Sequence, residues 1–121
     1  MDGLNESLEL FSTDKLHVRS TGAMKNDAGK ARFSLLPVRP LFDAIDVLET
    51  GSKRYGDHNW EKGFPWLDLF NATQRHLMAW RSGEDLASDS QQNHLAHAMV
   101  NIMFLLELTR THQELDNRLK K

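Results

Sequence analysis

Three histidines carry the most chemistry in this chain. His76 falls within a run, Leu69 to Trp80, where Leu69, Ala72, Thr73, His76 and Trp80 recur at helical spacing. His94 and His97 are three residues apart, so on a helix they project to nearly the same side. Glu84 and Asp85 stand in the stretch between these two segments. Neutral imidazole is a common ligand of divalent metals, and protonated imidazole donates to phosphate. His76, His94 and His97 with a carboxylate such as Asp85 therefore form a candidate metal or phosphate site. Glu84 and Asp85 join the three histidines as candidate catalytic groups. The plainer reading is a set of core histidines hydrogen-bonded across a helix seam. The zinc-protease pattern His-Glu-x-x-His is absent.

The run from Lys53 to Gly63 is the second chemical text. Lys53 supplies a cation for phosphate, Asn59 an amide for a base edge, and Tyr55 and Trp60 rings for stacking. The same run also reads as a loop anchored by its own aromatics. Upstream, Lys15, Arg19, Lys25, Lys30, Arg32 and Arg39 face a single acid, Asp27, with Gly22 and Gly29 among them. A basic, glycine-containing segment suits phosphates, and equally suits a solvated arm. Asp43, Asp46 and Glu49 recur every three residues. Paired acids on a helix can hold Mg²⁺, but these project opposite Leu41, Ala44, Ile45 and Leu48, so a solvated face is expected.

Composition bounds the rest. With 121 residues, 26% charged and 40% hydrophobic, the chain has the size of one domain. The absence of cysteine excludes disulfides, thiolate metal sites and a thiol nucleophile. A net charge of −2 argues against broad, non-specific nucleic-acid binding. No apolar run approaches the 18 residues or so of a membrane span, and the acidic, polar start is unlike a secretory signal. A cytoplasmic protein with no membrane partner is expected.

Three helices must position these groups. The first opens at Pro40, carries Leu41, Ala44, Ile45 and Leu48 inward, and stops at Gly51. A long connection follows to residue 66. The second helix runs from Trp66 to Ser82, before Gly83. The third starts near Asn93 and continues past Leu108, with Leu95, Ala98, Met99, Ile102, Leu105 and Leu106 as its apolar stripe. No strand of useful length is expected, although Leu8 to Phe11 could pack as a short element. The organisation is an N-terminal segment over 1–21, one helical domain over 22–112 and a charged tail over 113–121 that extends the third helix or frays. The fold class is all-α, a compact helical domain of three or more helices with long functional loops. Such an arrangement buries its faces poorly alone, so a homo-oligomer is expected.

Several segments match a known pattern. Gly29 to Pro37 resembles "G-K-x-R-x-x-L-L-P", and Gly51 to Gly63 resembles "G-A-x-K-Y-G-x-x-N-W-x-x-G". Arg75 to Trp80 resembles "R-H-L-x-A-W", and Gly83-Glu84-Asp85 with His94 to Ala98 resembles "G-E-D…H-L-A-H-A". Over roughly residues 21–108 the chain resembles the phage-associated dATP/dGTP diphosphohydrolase N-terminal domain family, the MazZ-like group. The resemblance implies hydrolysis of purine deoxynucleoside triphosphates to monophosphate and pyrophosphate. It implies kinship with the all-α MazG-like pyrophosphohydrolases, which are oligomeric and Mg²⁺-dependent, and so Mg²⁺ or Mn²⁺ as cofactor. A phage-encoded member would work in the host cytoplasm.

The chain departs from these patterns at two places. MazG-like enzymes hold metal with Glu-x-x-Glu and Glu-x-x-Asp pairs, where this third helix has His94-x-x-His97. The family's "G-E-D-x-D-P-E-S-G" reads here with Ala87 in place of an acid and Gln91 in place of the final glycine. On the enzymatic reading, Lys30, Arg32, Lys53 and Arg75 clamp phosphates, Tyr55 or Trp60 stacks the base and Asn59 reads its edge. Metal-bound or histidine-activated water then attacks the α-phosphorus. The alternatives are a nucleotide-binding module without turnover and an accessory helical subunit.

Overall fold

The computed structural model describes residues 16–119, and the short element expected at Leu8 to Phe11 lies outside them. The chain divides into two units, one ending at Leu36 and one beginning at Pro37. In the first, strands β1 (Leu16–Val18) and β2 (Met24–Asn26) pair antiparallel, with Leu16 opposite Asn26 and Val18 opposite Met24. A hairpin was not expected here, because three-residue strands are too short to show alternation. A 3-10 turn at Phe33–Leu35 follows.

The second unit is built from α1 (Val38–Tyr55), α2 (Trp66–Arg81) and α3 (His94–Thr111). The all-α expectation therefore holds, and the three helices are those read from periodicity. The first is longer at both ends than expected. It begins at Val38, with Pro40 inside the first turn, where a missing N–H costs nothing. It passes through Gly51 and ends at Gly56, whose φ of 90° leaves the helix. Lys53 and Tyr55 thus stand on the last helical turn, and the connection to α2 shrinks to ten residues, 56–65.

At α3, Asn93 is the N-cap, its side chain accepting the Leu95 N–H at 2.8 Å, a bond worth about 1 kcal/mol. α3 packs against both other helices. Against α1 it forms a cluster of Ala44, Val47, Ala96 and Val100, with Leu48, Met99 and Phe104. Towards the C-terminal part it meets Trp66 and Leu69 through Leu108, with Trp60, Phe64, Leu105 and Leu115 around them. Phe104 belongs to both clusters and ties them together.

The expected stripe of α3 is only half right. Ala98 is buried and Met99 and Leu105 are partly so, but Leu95, Ile102 and Leu106 are 41%, 51% and 55% exposed. Ala96, Val100 and Leu108 are buried instead. The helix is apolar nearly all round, so periodicity could not choose its inner face. The tail neither extends α3 nor frays over its described part. It turns at His112, forms a 3-10 turn at Gln113–Leu115 and docks: Asn117 Oδ1 accepts the Leu67 N–H at 2.9 Å, and Arg118 lies 4.8 Å from the Trp66 ring centroid.

Candidate functional site

The connection between α2 and α3 does not hang free. Ala87 N–H bonds to the Gln92 carbonyl at 2.8 Å, Gln91 N–H to the Ala87 carbonyl at 2.8 Å, and His94 N–H to the Asp85 carbonyl at 2.9 Å. A bridge between Leu86 and Asn93 completes the fold-back. Gln92 pins the loop to α1, its Nε2 donating to the Asp46 carbonyl at 3.0 Å and to Thr50 Oγ1 at 2.8 Å. Gln91 holds φ +58°, a left-handed conformation, at the position where the resembled pattern has glycine. Its amide, donating to the Ser88 carbonyl at 3.1 Å, helps hold that turn.

This loop delivers Glu84, Asp89 and Ser90 to the seam between α2 and α3, where the three histidines meet. His94 is 6% exposed and has a partner on each ring nitrogen: Glu84 Oε2 at 2.8 Å from Nε2, and His76 Nδ1 at 2.8 Å from Nδ1. The His76 and His97 rings stack, with centroids 4.6 Å apart and planes 4° apart. Ser90 Oγ lies 2.8 Å from His97 Nε2 and accepts the Gln92 N–H at 3.2 Å. The Ser90 hydroxyl thus ties His97 to the loop, as donor or acceptor according to the tautomer of the ring.

Proton positions follow from the pairing. A carboxylate only accepts, so His94 Nε2–H donates to Glu84. Where that is the one ring proton of His94, its Nδ1 lone pair takes the Nδ1 proton of His76. His76 then keeps a free lone pair on Nε2. Burial lowers the pKa of His76 below the ordinary 6.5, and His97, His94 and Arg75 push the same way against Asp89. Burial lowers that of His97 too, with Asp89 opposing and His94 and Arg54 adding to the fall. Both rings thus stay neutral, proton-accepting groups at physiological pH and for some way below it.

The residues singled out in the sequence fall in different places. His76, His94, His97 and Glu84 converge. Asp85 contributes its backbone carbonyl to the loop, and its side chain is exposed. Arg75 is exposed on α2 and acts on His76 through its charge. Tyr55 is 67% exposed, while the Trp60 ring is stacked on Phe104 at 4.6 Å and serves the core. Asn59 begins a 3-10 turn and is half-buried. Asp43, Asp46 and Glu49 are exposed, as expected of a solvated face. Lys30 and Arg32 lie in the first unit.

Sequence reasoning missed Ser90 and Asp89, and read Arg54 only as a cation of the run from Lys53 to Gly63. Arg54, at the end of α1, pairs with Asp89 at 3.8 Å and so brings a cation toward the histidines. Only the fold-back of the loop brings these together, and periodicity carries no signal for it.

The cluster does not fit the expected Mg²⁺ or Mn²⁺. Those ions favour several oxygen donors in octahedral array, whereas here both nitrogens of His94 and one Glu84 oxygen are already used. Among the described residues no group of three or more His, Asp or Glu side chains is arranged to hold a metal. No described helix is long and apolar enough to cross a membrane.

Comparison with known proteins agrees with the sequence pattern. A family model described as dATP/dGTP diphosphohydrolase, N-terminal, matches residues 20–118. The chain is 32% identical over 95 residues to a dATP/dGTP diphosphohydrolase of Salmonella phage PMBT28. The match covers 78% of this chain and 32% of the relative, so the chain spans about a third of that protein's length. No solved structure matches.

Proposed function

The chain belongs to the dATP/dGTP diphosphohydrolase N-terminal family, and from that premise we propose that it hydrolyses purine deoxynucleoside triphosphates to monophosphate and pyrophosphate. The observation that carries the reading is the chain Glu84–His94–His76, with 2.8 Å at each link. Glu84 orients His94, His94 holds the Nδ1 proton of His76, and His76 Nε2 faces the reaction as a base. That nitrogen takes a proton from water as the water oxygen bonds to the α-phosphorus. The bond to the bridging oxygen breaks, and pyrophosphate leaves. Arg75, Arg54 and Lys53 supply positive charge for the phosphates, and Tyr55 offers a ring to the base. Asn59 is the candidate reader of the base edge.

The test follows ³¹P spectra of the full chain with each deoxynucleoside triphosphate, with Mg²⁺, Mn²⁺ or chelator. Pyrophosphate released from dATP or dGTP, and slowed about a hundredfold or more in His76→Ala, is the expected result. Unchanged spectra with every nucleotide would overturn it.

Nucleotide binding without turnover is the second reading, favoured because α3 carries His94-x-x-His97 in place of a metal-holding pair of acids. It predicts shifted triphosphate lines and no pyrophosphate. Self-association is proposed alongside, since Leu95, Ile102 and Leu106 form an exposed apolar row on α3 at spacings of seven and four residues.

A further inference from the structure

A hydrogen bond fixes one point of an imidazole ring and leaves its plane free. Rotation of a histidine ring about its Cβ–Cγ bond has a broad, soft profile, so neighbours must set the plane. His76 is tied through Nδ1 to His94 at 2.8 Å, which is such a point. Its plane is set by a different neighbour. The His97 ring lies flat on that of His76, with centroids 4.6 Å apart and planes 4° apart, whereas the His94 ring is tilted from it by 51°. Rings at this centroid distance are in stacking contact. His76 belongs to α2 and His97 to α3, so neither helix makes the stack alone.

His97 needs a restraint of its own, and the loop before α3 supplies it. Ser90 Oγ lies 2.8 Å from His97 Nε2. That hydroxyl is itself held in place. It accepts the Gln92 N–H at 3.2 Å, and the Gln92 side chain is bonded to the Asp46 carbonyl and to Thr50 Oγ1 on α1. We propose that Ser90 is a positioning residue for His76: through His97 it holds the plane of the base, and so the direction of the Nε2 lone pair. The inference rests on the reading of His76 as the base. A reacting group must be held to within roughly 10–20° of its productive direction, and a ring restrained by His94 alone spends part of its time outside that range. Ser90 acts whether its hydroxyl donates or accepts, because either bond fixes the His97 ring. Its effect falls on kcat, since holding the nucleotide does not require the plane of His76.

The experiment compares the full chain with Ser90→Ala, Ser90→Thr and Ser88→Ala. It reads kcat and KM for dATP and dGTP, and the carbon-bound ring protons of His76 in spectra of chain labelled at histidine. In the parent chain these protons lie over the His97 ring and are shifted upfield by its ring current. Ser90→Ala should lower kcat about tenfold or more, leave KM within about twofold, and shrink the upfield shift. Ser90→Thr keeps the hydroxyl and should restore both. Ser88 is exposed in the same turn, and Ser88→Ala should change neither. Backbone amide spectra report that each variant is folded. A parent-like kcat, an unchanged ring shift, a loss that Ser90→Thr leaves in place, or a change in KM alone would each overturn the proposal. The ring spectra need no turnover. A parent chain without hydrolysis removes the reading of His76 as the base, while the spectra still decide whether Ser90 holds its ring.

Discussion

His76 and His97 couple the fold to pH. Burial is the main reason that both are held below the ordinary 6.5 in the folded chain. On unfolding each ring regains its ordinary value, so in the window below about 6.5 the unfolded chain binds more protons than the folded one. The contribution to stability is complete above that value. It is lost as pH falls through the lower, folded values. The urea midpoint is therefore expected to be lower at pH 5 than at pH 7.5, with the difference reduced in His97→Gln. Equal midpoints at the two pH values would contradict the burial of these rings. The tautomer argued for His76 belongs to the same scale, since it follows from the partners of His94 and from nothing further away. Its loss in His76→Ala is what the turnover measurement reads.

Among the elements, the C-terminal segment depends on one glycine. Gly63 has φ +98° and ψ 150°, in a region almost confined to glycine. A Cβ there would meet Leu115 Cδ1 at 2.6 Å and His112 Cδ2 at 2.8 Å. Gly63→Ala is expected to cost about 1–3 kcal/mol from the backbone alone. It should also push Leu115 off Trp66 and red-shift tryptophan fluorescence. Gly56→Ala makes the control: its φ of +90° is also unfavourable, but nothing lies within 4 Å of the added carbon. It should lower stability without the spectral change. Identical spectra for the two variants would show that the tail does not rest on Gly63. The loop before α3 shows a related economy, with Gln91 in a left-handed conformation held by its own amide to Ser88.

At the scale of the whole molecule, the core of the second unit is modest and α3 remains apolar on its outer side. Leu95, Ile102 and Leu106 are each at least 41% exposed, which suits contact with a second copy of the chain. Ile102→Glu is expected to lower the sedimentation coefficient to that of a monomer. An unchanged, monomeric coefficient in the parent chain would remove the homo-oligomer.

Much of this architecture was legible from local signals. Periodicity and end residues located α2 within a residue and placed Asn93 at the start of α3, because caps and helix faces depend on neighbours a turn away. The excess of bases around Lys30 and Arg32, and the meeting of His76 with His94 and His97, were likewise visible in residue type and spacing. Gly51 misled, because a glycine ends a helix only where the backbone turns left-handed, and that occurs at Gly56. The inner face of α3 could not be read, since a helix apolar all round is oriented by what packs on it. The same holds for the tail on Trp66, for Ser90 on His97 and for Arg54 beside Asp89. Local chemistry sets which segments coil and where they stop. Contacts between residues far apart in the chain decide which side turns inward, and so which nitrogen of His76 is left with its lone pair.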